Sequence, residues 1–418
     1  MTDRPTPLVL VGGVHRGHTA RAADDLLTAA PGTVVVHHDV RGLDEGVVLR
    51  TVRTRLVDGV TEERTALELA HGCLSCTLRL DVLPLVRDLA VRPGVERIVL
   101  QLDPALEPEH LCWSLGAVLL EAGGTAADAV IVEAVVAVLE AATWLDDVTG
   151  EETMADRGLA ATADDERTLA QVALGQVGIA DVVLLAGPPV EDWTAARLHA
   201  ALDRWVPAAR TGSIEHWRPA RVLAGLGRHA RRGRVRHPHD PLLAGQPPLD
   251  ADAGVELVRF SARRPFHPER LHEAFDVLLD GVIGARGRLW LATQHDRAVW
   301  LESAGGGLQV GDAGPWLDTL GADVELWDQA DPERRVATAL RWDPLYGDRD
   351  TEIVVLTHRQ SREALTTAFC QALLTDEELA LGVEGWDFED PFGDSHEDPC
   401  EASSPADDAH AHTTEENR

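Results

Sequence analysis

The chain contains no lysine: all 38 basic residues among its 418 are arginine. The absence matters most at residues 12–19, Gly-Gly-Val-His-Arg-Gly-His-Thr, which keep the Gly-x4-Gly frame of a phosphate-binding loop. His18 stands where that loop places the lysine that holds a nucleotide's terminal phosphates, and no lysine elsewhere can replace it. Cysteine is also scarce. Cys73, Cys76, Cys112, Cys370 and Cys400 are too few and too scattered for a disulfide framework, which fits a reducing compartment. Residues 1–30 lack the charged start and apolar core of a signal peptide, and no apolar run is long enough to span a bilayer. A cytoplasmic protein without a membrane partner is expected. A formal charge of -32 excludes general attraction to DNA or an anionic membrane, so any RNA contact needs a local basic patch.

What is present begins with a strand-type apolar run at 8–11, the loop, and a helical pattern at 19–30. Gly12, Gly17, His18 and Thr19 are the candidate set for GTP, with the Thr19 hydroxyl placed for magnesium. His15 and Arg16 occupy positions where small residues normally let the backbone approach a phosphate. The competing reading is an ordinary strand-to-helix turn.

Further apolar runs at 33–36, 98–102, 129–132 and 182–185 alternate with helical patterns at 80–90, 109–121, 136–145, 167–177 and 191–202. Strands separated by helices predict an α/β, doubly wound parallel sheet over residues 1–222. Residues 223–254, rich in Arg, His, Pro and Gly, read as a linker. Strands at 255–260, 288–292, 298–301 and 353–356, with helices at 270–279 and 362–374, predict a smaller α+β domain over 255–394. The acidic tail 395–418 is too poor in apolar residues to order itself.

The second domain resembles the CobW C-terminal domain through 260–271 (Phe-Ser-Ala-Arg-Arg-Pro-Phe-His-Pro-Glu-Arg-Leu), 287–292 (Gly-Arg-Leu-Trp-Leu-Ala), 303–306 (Ser-Ala-Gly-Gly), 374–378 (Leu-Thr-Asp-Glu-Glu) and 390–392 (Asp-Pro-Phe). The first half resembles the metal-handling P-loop GTPase domain of the same family through 72–77 (Gly-Cys-Leu-Ser-Cys-Thr) and 176–181 (Gln-Val-Gly-Ile-Ala-Asp). The departures are informative. Ser75 replaces the middle cysteine of the family's Cys-x-Cys-Cys. Residues 186–189 (Ala-Gly-Pro-Pro) stand where guanine-reading Asn-Lys-x-Asp belongs, and 101–104 (Gln-Leu-Asp-Pro) replace an acidic Glu-Thr-Thr-Gly segment. With the phosphate lysine, the base-reading motif and the switch segment all altered, a working GTPase is not expected. The combination is similar to an actinobacterial subgroup, the ribosome hibernation factor-recruiting proteins of the Mrf type. That resemblance implies an adaptor made under zinc limitation, with the small ribosomal subunit and a hibernation-promoting factor as partners. The alternative within the family is a nucleotide-dependent zinc metallochaperone.

Cys73 and Cys76 form Cys-x2-Cys, a spacing that places two thiolates on one zinc, with His71 as a possible third ligand; otherwise they are small packing residues in a turn. His396, Cys400, His410 and His412 in the tail read first as part of a solvated acidic segment. Arg228, Arg231, Arg232, Arg234 and Arg236 form the one dense positive run and are the candidates for ribosomal RNA contact, unless they neutralise neighbouring acidic faces. Trp386, Phe388 and Phe392 are expected to fold back and close the second domain.

Overall fold

The computed structural model describes residues 4–393, except 57, 70–72, 189, 244, 322–326 and 328–329. The acidic tail and His71 therefore lie outside the described residues. The chain is α/β with a smaller α+β second domain. Eight strands form the first sheet: β1 (Thr6–Gly12), β2 (Thr33–Asp39), β3 (Val47–Leu56), β4 (Gly59–Glu68), β5 (Arg97–Gln101), β6 (Val130–Glu140), β7 (Val182–Ala186) and β8 (Arg210–Ser213), in the order β4-β3-β2-β5-β1-β6-β7-β8. The pairs from β2 through β8 are parallel. Leu8, Val9, Leu10 and Val11 on β1 are fully buried, because helices cover both faces of a parallel sheet and an unbroken apolar run satisfies both.

Two expectations are corrected here. The sheet is not wholly parallel: β3 and β4 pair antiparallel at its edge, a hairpin whose side chains are mostly half-buried or exposed and so leave little apolar signal. Residues 136–145 are not a helix. β6 runs unbroken to Glu140 and only Trp144–Asp147 turns helical. A continuous apolar stretch carries no period, and the β-branched Val135, Val136 and Val138 settle it as strand.

The second sheet is antiparallel, order β12-β11-β10-β13-β9, from β9 (Glu256–Ala262), β10 (Val282–Leu289), β11 (Arg297–Ala304), β12 (Gly307–Pro315) and β13 (Thr351–Thr357). The strand expected at 288–292 ends at Leu289 and starts earlier, through Gly284, Arg286 and Gly287, which look unlike a strand in sequence. Gly284 has a packing reason. A Cβ there would overlap Leu174 and crowd Trp205, so the glycine lets the first domain's helices lie directly on β10. The two domains share one core, in which Leu174, Val177 and Trp205 pack with Leu257, Ile283 and Val354. Trp386 is buried, the Phe388 ring lies 4.3 Å from that of His267, and Phe392 packs on Phe275, so this segment closes the second domain.

Candidate functional site

In a sheet of this order the strands flanking β1 diverge in connection, and the crevice opens beyond their carboxyl ends. Four segments meet there: the loop after β1, Asp103 after β5, Glu140 at the end of β6 and Gly187 after β7. The helix α1 (Arg16–Ala29) starts from this loop with no side-chain cap and no acid in its first turn, leaving its positive end bare.

Side chains of the chain itself occupy the place of the missing phosphate contacts. His18 Nε2 lies 2.6 Å from Glu140 Oε2. Arg16 grips the fully buried Asp103 through Nε at 3.2 Å and Nη2 at 3.3 Å. Thr19 is fully buried and its Oγ1 donates to the Arg16 carbonyl at 3.0 Å, so the hydroxyl placed for magnesium is turned into its own helix. Gly187, at φ +88°, has no Cβ to collide with the Glu140 carboxylate. The altered base-reading segment thereby makes room for the acid that holds His18. His15 stands beside His18 with ring centroids 5.6 Å apart. Burial lowers the His15 pKa, with Asp147 opposing. Gly12 ends β1, and Gly17 lies in the first turn of α1 with open space where a side chain would be.

Cys73 caps the short helix Leu74–Thr77 and Cys76 lies within it. Cys73 Sγ accepts the Cys76 N–H at 3.1 Å. The next turn, Leu78–Val82, is a π-helix, the kind of irregular turn that often marks functional sites. It presents Asp81 to His38 Nε2 at 2.7 Å and Arg50 Nη1 at 2.5 Å. Among the described residues no group of three or more His, Cys, Asp or Glu side chains is gathered for a metal ion.

The arginine run divides. Arg228, Arg232 and Arg234 are exposed, whereas Arg231 and Arg236 turn inward between the domains. Arg231 donates to the Gly178 carbonyl at 2.5 Å and pairs with Glu109 at 3.1 Å. The Arg232 backbone N–H donates to Asp181 at 3.0 Å. Sequence reading missed the partners Glu140, Asp103 and Glu109. The one available signal was position, since acids at the carboxyl ends of parallel strands face the crevice.

Comparison with known proteins places this geometry. Residues 38–201 match the CobW/HypB/UreG nucleotide-binding domain, a span that begins downstream of the Gly12 loop, and residues 255–373 match the cobalamin synthesis protein cobW C-terminal domain. A zinc chaperone of Mycobacterium tuberculosis is 44% identical over 404 residues, 94% of each chain. The chain belongs to the CobW family. A zinc-regulated GTPase metalloprotein activator of Dictyostelium discoideum is 24% identical over 81% of this chain and 71% of its own. The Zn(II)-bound YjiA GTPase of E. coli is similar at 14% identity and a TM-score of 0.39, over 89% of this CobW-family chain and all of that one. Among the described residues no helix is long and apolar enough to cross a membrane.

Proposed function

We propose that this CobW-family chain is a zinc metallochaperone that works in the cytoplasm without turning over nucleotide. The observation that carries it is the Cys73–Cys76 pair, set on a helix start with one sulfur already accepting a backbone N–H. Two thiolates at this spacing hold a zinc ion yet leave positions open for a recipient's ligands, as a carrier requires and a closed structural site does not. The likeness to a mycobacterial zinc chaperone over nearly the whole length supports the same reading. The His18–Glu140 and Arg16–Asp103 pairs argue against a nucleotide-driven cycle, because a phosphate must displace both carboxylates to enter.

Competition of the full chain against a chromophoric zinc chelator tests this. One zinc equivalent is expected, lost in the Cys73→Ser/Cys76→Ser double variant, with no GTP hydrolysis above the protein-free rate. Zinc binding unchanged in the double variant, or hydrolysis that zinc stimulates, overturns it. A second reading is an adaptor that brings a hibernation-promoting factor to the small ribosomal subunit. The self-filled cradle and the exposed Arg228, Arg232 and Arg234 favour it. It predicts salt-sensitive co-sedimentation with small subunits, weakened when these three are changed to Ala; absence of the chain from the small-subunit fraction rejects it.

A further inference from the structure

A cavity of about 220 Å³ lies between the two domains, remote in role from the loop and the thiol pair. Its walls come from the helix Leu169–Gly178, the inward part of the arginine run, and strands β10 and β11. Arg286 is the decisive residue. It is 7% exposed, its guanidinium lies 4.4 Å from the Trp205 ring centroid, and among the described residues its side chain makes no hydrogen bond or ion pair. Its Nε is buried without an acceptor, as are Trp205 Nε1 and Ser303 Oγ on the same walls. A buried guanidinium normally has a carboxylate, because a charge removed from water without a partner costs several kcal/mol.

The other charges do not supply one. Arg231 and Glu109 neutralise each other at 3.1 Å, and Arg167 is held by Asp165 and Glu107. The four arginines 167, 231, 236 and 286 and the four acids Glu107, Glu109, Asp165 and Glu302 balance in charge, but among the described residues none of these carboxylates is ion-paired with Arg286. Glu302 sits directly opposite Arg286 across β10 and β11 but is not within 4.0 Å as an ion pair among the described residues. The cavity is large enough for several waters or one small molecule. Burial, and then the charge of Arg236, push the Arg286 guanidinium down from its ordinary value, with Glu302 opposing.

We infer that this interdomain cavity is a binding site for a small oxyanion, a phosphate or carboxylate group received by Arg286 and Arg236, with its non-ionic part against Trp205 and Leu174. Such a ligand bridges the domains, since Arg286 belongs to the second and Trp205 to the first. Calorimetric titration of the full chain with inorganic phosphate and, separately, with malonate at matched ionic strength tests it. Saturable one-to-one binding of at least one probe is expected, and the tighter of the two identifies the headgroup. Arg286→Met weakens it at least about tenfold, Ser303→Ala weakens it less, and Glu302→Gln strengthens it by removing the like charge. Should Arg286→Met fail to fold, the opposite responses of Ser303→Ala and Glu302→Gln decide the matter. No saturable binding of either probe, or binding indifferent to all three substitutions, overturns the inference.

Discussion

At the scale of single residues, His18 is a lysine position whose charge demand has been met from inside. Glu140 holds it, so restoring the cation alone restores nothing: His18→Lys is expected to leave Mg-GTP binding undetectable, because the new ammonium pairs with Glu140. His18→Lys combined with Glu140→Ala releases that cation, and GTP affinity measured by fluorescence titration is expected to rise at least about tenfold over the single variant. Equal affinity of the two variants rejects the plug. Gly187→Ala tests the same contact from the other side, since φ is +88° and a Cβ would overlap Glu140 Oε1. A loss of about 1–3 kcal/mol in urea unfolding is expected. Histidines elsewhere set the acid response. Burial, followed by the Arg334 guanidinium, lowers His239 from 6.5 to about 2, and burial also lowers His15, His237, His267 and His358. The unfolded chain therefore takes up more protons as pH falls below about 6.5, and stability is lost in that direction. The depressed carboxylates Glu378 and Asp39 add their share only below their unfolded values near 4.5 and 3.8. Between pH 6.5 and 5 these histidines set the slope, with the raised carboxyl of Glu302 opposing them, and His239→Gln is expected to reduce it by about one proton. The phosphate-loop frame was legible from Gly12 and Gly17, but the pair that fills it was not, because Glu140 lies 122 positions away from His18.

At the scale of elements, the parallel strands were legible where apolar runs were short and bounded. β6 was not, since its 11 residues run past the length of an ordinary strand and give no period to separate strand from helix. β10 was misplaced for the opposite reason. Its glycines and arginines carry little strand signal, and their meaning appears only against the helices that pack on them. Gly284→Val is expected to push the helix Leu169–Gly178 off β10 and to cost about 1–3 kcal/mol, read as a lowered midpoint in chemical unfolding with the sheet's circular dichroism retained. The edge hairpin β3–β4 escaped notice because its exposure leaves both faces mixed.

At the scale of the whole molecule, the stretch that looks like a linker is part of the joint between domains. Arg231 reaches Gly178 and Glu109, Arg236 faces the interdomain cavity, and the core below it is continuous from Leu174 to Val354. Domains that share a core melt together, so calorimetry of the full chain is expected to give a single cooperative transition; two resolved transitions contradict the shared core. Such a joint also explains how a family built around a nucleotide cradle keeps both domains while the cradle is filled by its own residues. The residues that join the domains in the shared core, Leu174, Val177 and Trp205 with Leu257, Ile283 and Val354, lie outside the nucleotide cradle. The most direct test is one zinc titration of the full chain performed with and without excess Mg-GTP. Zinc affinity unchanged within about twofold and dependent on Cys73 and Cys76 is predicted; a shift of about tenfold or more with Mg-GTP contradicts the account.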